Sequence, residues 1–149
     1  MSKGQKLITS NKKAFFNYFL SDFIEAGIEL KGTEIKSLRV NGATLNDSYV
    51  VIRNGEAELL NMHIKAYEHG NIFNHDPLRT RKLLLHKREI RLIEQKIKAE
   101  GYTVVPTKVY FAHGKAKVEI ALAKGKKNYD KRETIKKRDL EREMAKGEY

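Results

Sequence analysis

The amino-acid sequence predicts a mainly β protein: a small, closed antiparallel β-barrel with flanking helices and a basic C-terminal tail. Three observations predict it. Hairpin patterns occur at Tyr49–Leu60 and Thr103–Ala123, one long amphipathic helix lies between them at His86–Glu100, and the apolar pattern stops after Ala123. Short antiparallel strands with a single long helix favour a sheet closed on itself over a parallel α/β sheet. The 149 residues suit one globular unit, residues 1–123, followed by a tail, residues 124–149.

Taken in order, Ala14–Leu20 (AFFNYFL) is rich in aromatics and reads as a strand, with a short helix as the alternative. Ile28 and Leu30 alternate with Glu29 and Lys31, which predicts a half-buried strand ending at Gly32. Thr33 as an N-cap, with Ile35 and Leu38 three apart, predicts one or two helical turns. YVVIR and EAELL flank Asn54-Gly55, the pair that best tolerates the positive φ angles of a type I′ hairpin. His69–Pro77, rich in Asn, His, Gly and Asp, reads as a loop. In His86–Glu100, Ile90, Ile93 and Ile97 give one apolar face, while Lys87, Arg91 and Lys98 fall on another. His86 and Glu89 have capping-box spacing, and Gly101 is placed to end the helix. Thr103–Phe111 and Ala116–Ala123 form the second hairpin, in which Val118, Ile120 and Leu122 alternate with charged residues. Pro106 lacks an N–H and implies an edge or a bulge.

The tail has only Ile135, Leu140 and Met144 as large aliphatics, too few to offset conformational entropy. Yet Asp130–Lys146 contains no Gly or Pro, and Glu133 and Lys137 are spaced for a helical i,i+4 pair. The expectation is a segment disordered when free and helical when bound.

Composition excludes several functions. With no cysteine there is no disulfide framework, thiolate metal site or Cys nucleophile. No apolar run is long enough to span a bilayer, and MSKGQKLITS lacks the apolar core of a signal peptide, so a cytoplasmic protein is expected. The net charge of +11 is concentrated. Arg79–Lys98 carries eight basic and two acidic residues, and residues 124–149 carry ten and six. Such clusters favour a polyanionic partner over a merely solubilising surface, because cation–phosphate contacts release condensed counterions.

Motifs for chemistry are sparse. His63, His69 and His75 lie six apart, with Asp76 beside the last, but the spacing matches neither a helical nor a strand metal site, and loop histidines are commoner. No phosphate-binding glycine loop, dinucleotide fingerprint or nucleophile elbow occurs. Glu25, beside Ala26-Gly27, has no partner base nearby in sequence. No enzyme, metal or cofactor is therefore expected. RTRKLLLHKREIR (Arg79–Arg91) is more informative: leucines to anchor it, cations to face outward. RNA suits it better than DNA, since nothing provides a recognition helix for the major groove. In the tail, Lys124, Lys126, Lys127, Lys131, Arg132, Lys136, Lys137 and Arg138 surround one aromatic, Tyr129, a composition suited to phosphate contact and base stacking.

Several phrases together resemble one family. NKKAFFNYF, EAGIELKGTEIKSLR, DSYVVIRNGEAELLNMHI, NHDPLRTRKLLLHKREI, GYTVVPTKVYF and AKGKKNYDKRETIKKRD, in order from Asn11 to Asp139, are similar to the bacterial SsrA-binding protein (SmpB) family. The resemblance implies an oligonucleotide-binding (OB) barrel and an adaptor of trans-translation. Such an adaptor binds the tRNA-like domain of transfer-messenger RNA (tmRNA), as a monomer in a 1:1 complex. It delivers that RNA to stalled ribosomes, with its tail helical in the decoding centre and the empty mRNA channel, so that the ribosome is rescued and the nascent peptide tagged.

Carried over by motif, the tmRNA surface includes Asn11, Glu25, Leu84 and His86. Lys12, Lys13, Arg39, Arg81, Lys82 and Lys87 are added as phosphate contacts. The tail motif is present as Gly125, Lys126, Lys127, Asp130, Lys131 and Arg132, followed by Lys136, Lys137 and Arg138. Tyr129 stands where relatives can have His; it keeps stacking but cannot titrate near neutral pH. The competing readings are a general OB-type RNA chaperone or ribosome-associated binder, and a metal-assisted nuclease built on His63, His69, His75 and Asp76.

Overall fold

A computed structural model of the chain describes residues 5–68 and 74–126. The elements run β1 (Gln5–Ser10), α1 (Lys12–Asn17), β2 (Tyr18–Ile28), α2 (Gly32–Asn41), β3 (Tyr49–Arg53), β4 (Glu56–Leu60), β5 (Arg81–Leu84), α3 (Lys87–Glu100), β6 (Thr103–Ala112) and β7 (Lys115–Gly125). The protein is mainly β sheet with a few helices. All strand pairings are antiparallel, and they run in a ring, β6–β3–β4–β5–β2–β7 and back to β6, with β1 alongside β6.

Both expected hairpins form, each on a two-residue turn with positive φ at both positions, Asn54-Gly55 (54° and 76°) and His113-Gly114 (53° and 76°). Pro106 sits at a break in the β6–β7 register, the bulge its missing N–H calls for. Period-two alternation turns Ile28, Val50, Leu59, Leu83, Val104, Val109, Val118 and Ile120 into one buried core. Helix α3 adds Ile93 to it and packs Ile97 against it, and Gly101, in the left-handed region, ends the helix.

Three expectations need correction. Ala14–Leu20 is not one strand. Asn11 caps a six-residue helix by accepting the Ala14 N–H at 3.0 Å, and the strand begins only at Tyr18. From there it runs on to Ile28, so the two strands expected in this region are one. Helix α2 starts at Gly32, not after a Thr33 cap: the Lys31 N–H donates to Glu34 Oε1 at 2.7 Å, while the Thr33 hydroxyl bonds His75 Nδ1 at 2.9 Å. Strands β1 and β5 are additional to the expected set. Of the expected loop His69–Pro77, residues 69–73 lie outside the described residues, and residues 74–77 are neither helix nor strand.

Candidate RNA-binding surface

Two cross-strand rows organise the outer face of β6, β7 and β2. Lys108 faces Glu119, which faces Glu25; in the next row Tyr110 faces Lys117, which faces Gly27, which faces Leu84 of β5. Gly27 interrupts the second row, because a Cβ there would lie 3.3 Å from Leu84 Cβ. The gap opens a groove of about 530 Å³ whose walls include Glu25, Gly27, Glu56, Lys82, Leu84, His86, Lys87, Glu89 and Lys117. Five of the expected tmRNA contacts, Glu25, Lys82, Leu84, His86 and Lys87, are thus brought together. Leu84 is 48 % exposed, an apolar surface beside charged ones. His86 is the N-cap of α3, and its backbone N–H donates to Glu89 Oε1 at 2.9 Å. The N-terminal end of α3 therefore borders the groove with its positive dipole end.

The groove is mixed in charge. Lys82 pairs with Glu56 at 3.1 Å, and that bond raises the lysine pKa above its ordinary value. The Tyr110 hydroxyl donates to Glu25 Oε2; burial first, then the Glu25 carboxylate, push the phenol pKa well above the usual tyrosine value. On the same face the Thr107 hydroxyl donates to Glu119 Oε2 at 2.7 Å, and Lys108 Nζ lies 3.7 Å from Glu119 Oε1. Three carboxylates among three lysines suit hydrogen bonding to base edges and sugar hydroxyls better than a purely cationic surface would.

Two expected contacts are overturned. Arg81 is fully buried, because alternation along β5 puts it on the same side as Leu83. Its guanidinium donates to Glu34 Oε2 at 2.7 Å, to the Met62 carbonyl at 2.6 Å and to the Pro77 carbonyl at 3.2 Å, so no donor is offered to phosphate. Arg79 completes the cluster on Glu34 with bonds of 2.7 and 2.9 Å. Burial raises the Glu34 pKa, but the hydrogen bonds from Arg79, the Lys31 N–H and Arg81 outweigh it and leave the carboxyl below its ordinary value. Asn11 is likewise 2 % exposed. Besides capping α1, its amide donates to the Pro106 carbonyl at 2.9 Å and to the Leu45 carbonyl at 3.2 Å, and its backbone N–H reaches the Thr107 carbonyl at 2.8 Å. It fastens α1 to β6 and has no side chain to give to RNA.

The remaining candidates lie apart. Lys12 and Lys13 are exposed on α1, at the far end of β2 from Gly27, with Lys13 paired to Asp47 at 3.1 Å. Arg39 of α2 stacks over the Phe111 ring at 4.5 Å. Phe111 lines a second hollow of about 360 Å³ that shares Gly27, Leu84 and Lys117 with the groove. Of the tail residues, Gly125 closes β7 opposite Tyr18, and Lys126 Nζ sits 5.3 Å from the Phe19 ring. Lys127, Tyr129, Asp130, Lys131, Arg132, Lys136, Lys137 and Arg138 lie outside the described residues. So does His69, while His75 is buried between Thr33 and the Ile64 carbonyl and His63 is exposed.

Residues 8–148 match the family model described as SmpB protein. The chain belongs to the SmpB family. An SsrA-binding protein from Geobacter metallireducens is 58 % identical over 142 residues, covering 95 % of this chain and 93 % of the relative. One from Enterococcus hirae is 59 % identical over 145 residues, covering 97 % and 94 %. Among solved structures, a chain described under "tmRNA-SmpB: a journey to the center of the bacterial ribosome" superposes with a TM-score of 0.69 at 46 % identity, covering 83 % of this chain and 87 % of that one. For this SmpB-family chain, sequence reasoning missed Gly27, Glu56, Glu89 and Lys117 among the groove residues, and it missed Tyr110, which reaches the groove through its bond to Glu25. A glycine within a strand signals close backbone approach, so Gly27 was open to inference; no local pattern marks Tyr110 as the partner of a residue 85 positions away.

Proposed function

We propose that the protein is a non-enzymatic adaptor of trans-translation that binds the tRNA-like domain of tmRNA and brings it to stalled ribosomes in the cytoplasm. The observation that carries this is the groove at Gly27. It gathers Glu25, Lys82, Leu84, His86 and Lys87 in one place, in a chain of the SmpB family whose relatives are SsrA-binding proteins. The ring of antiparallel pairings supports an OB-type closed barrel as its RNA-binding body. In that body Glu25 and His86 supply hydrogen bonds, Leu84 packs on the RNA, and Lys12, Lys13, Arg39, Lys82 and Lys87 meet phosphates. Asn11 and Arg81 hold the fold.

The body ends near Gly125, and the basic tail, with Lys126 through Arg138 and Tyr129, serves the decoding centre and mRNA channel. The adaptor acts as a monomer, one per tmRNA. Filter or fluorescence titration against tmRNA in the presence of excess bulk tRNA tests the assignment. Specific binding that resists the competitor is the expected result; affinity lost in proportion to added tRNA would instead indicate a general RNA chaperone.

A further inference from the structure

We propose that Tyr110 is a positioning residue for RNA recognition: its hydroxyl fixes one carboxylate oxygen of Glu25 so that the carboxylate faces a base edge carrying N–H donors. The proposal rests on the groove being the RNA-binding site and names what its acidic wall reads. Glu25 is exposed on β2, whereas Tyr110, on β6, is 3 % exposed and donates to Glu25 Oε2 across the intervening strand β7.

The neighbouring carboxylate, Glu119, is engaged by Thr107 and Lys108, but among the described residues Glu25 has no ion pair. Without Tyr110 an exposed glutamate samples many rotamers, and binding would have to immobilise it. With Tyr110, one lone pair is used and the remaining acceptor sites stay available, since each carboxylate oxygen accepts up to two hydrogen bonds.

A carboxylate repels phosphate, so the group that meets it must be a donor. A nucleobase with two adjacent N–H groups on an unpaired edge, as guanine has, matches a carboxylate best. The donor role is also secure. Burial and the Glu25 charge hold the Tyr110 phenol protonated far beyond neutral pH, so the bond has one direction at every pH at which the protein works.

Titrations of full-length protein against tmRNA test this with Tyr110→Phe, Glu25→Gln, the double variant, Glu25→Asp and Lys87→Ala. Tyr110→Phe and Glu25→Gln should each weaken binding at least about tenfold, the scale of one hydrogen bond to a charged group. The double variant should be no weaker than Glu25→Gln, because Tyr110 acts only through Glu25. Glu25→Asp keeps the charge but is one methylene too short to reach both Tyr110 and the base, and it too should bind weakly. Because Glu25 is exposed, this variant tests the positioning role even if Tyr110→Phe disturbs the sheet.

Unchanged binding by Tyr110→Phe or by Glu25→Asp, beside a weakened Glu25→Gln, overturns the positioning role and leaves the groove assignment standing. Multiplying effects in the double variant overturn it as well. Unchanged binding by both Glu25→Gln and Lys87→Ala means that the groove itself is not the contact, and the underlying reading fails.

Discussion

Glu34 and Arg81 are both fully buried, and their charges are compensated by one compact cluster. The carboxylate takes bonds from Arg79, Arg81 and the Lys31 backbone, tying α2 to β5 and to the loop before it. Glu34→Gln should therefore destabilise the protein by about 3–5 kcal/mol in urea denaturation, because it leaves the buried Arg81 guanidinium uncompensated. The pH dependence has a definite sign. The Glu34 pKa is depressed in the folded state, so its stabilisation is complete above the unfolded carboxylate value, near ~4.3, and is lost as pH falls through the lower folded value. Urea midpoints measured between neutrality and acid pH should fall in that range for the parent and change less for Glu34→Gln. At this scale the sequence misled over Arg81. Local charge density says nothing about direction, although the alternation of Arg81 with Lys82 and Leu83 did carry the answer.

At the scale of elements, the two hairpins and α3 were legible because their signals are local: turn dipeptides with positive φ, alternation, and a helical apolar stripe. Strand β5 is only four residues long, and α1 depends on Asn11, whose fixed position comes from bonds to residues 34 and 95 positions away. Those contacts explain why a strand reading of Ala14–Leu20 failed. They also predict that Asn11→Ala costs about 2 kcal/mol in thermal or urea unfolding, combining a lost cap with unpaired buried carbonyls. Gly27 belongs to the same scale. Gly27→Val would push into Leu84 and fill the groove, so tmRNA affinity should drop at least about tenfold while circular dichroism shows the fold retained. Binding at parent strength by that variant would mean that the RNA lies elsewhere on the surface.

For the whole molecule, the net charge of +11 overstates the cationic surface around Arg79–Lys98. Arg79 and Arg81 converge on Glu34, Lys82 pairs with Glu56, Lys96 with Glu100 and Lys98 with Glu94. Lys87, Arg88 and Arg91 remain exposed without an ion pair among the described residues. Each one that meets a phosphate should lower the slope of log affinity against log salt by about one when replaced by Ala.

On the proposed function, a folded body binds tmRNA and a tail works on the ribosome. The described structure moves the boundary between them: β7 runs to Gly125, Lys124 reaches the Glu100 carbonyl at 2.5 Å, and Lys126 contacts α1 and the Phe19 ring. A chain truncated after Lys126, rather than after Ala123, is therefore the decisive reagent. Assayed side by side with the full chain for tmRNA affinity and for peptide tagging on stalled ribosomes, it should bind tmRNA within about twofold of the parent and tag nothing. A truncated protein that is folded by circular dichroism yet fails to bind tmRNA, or one that still tags, would refute that division.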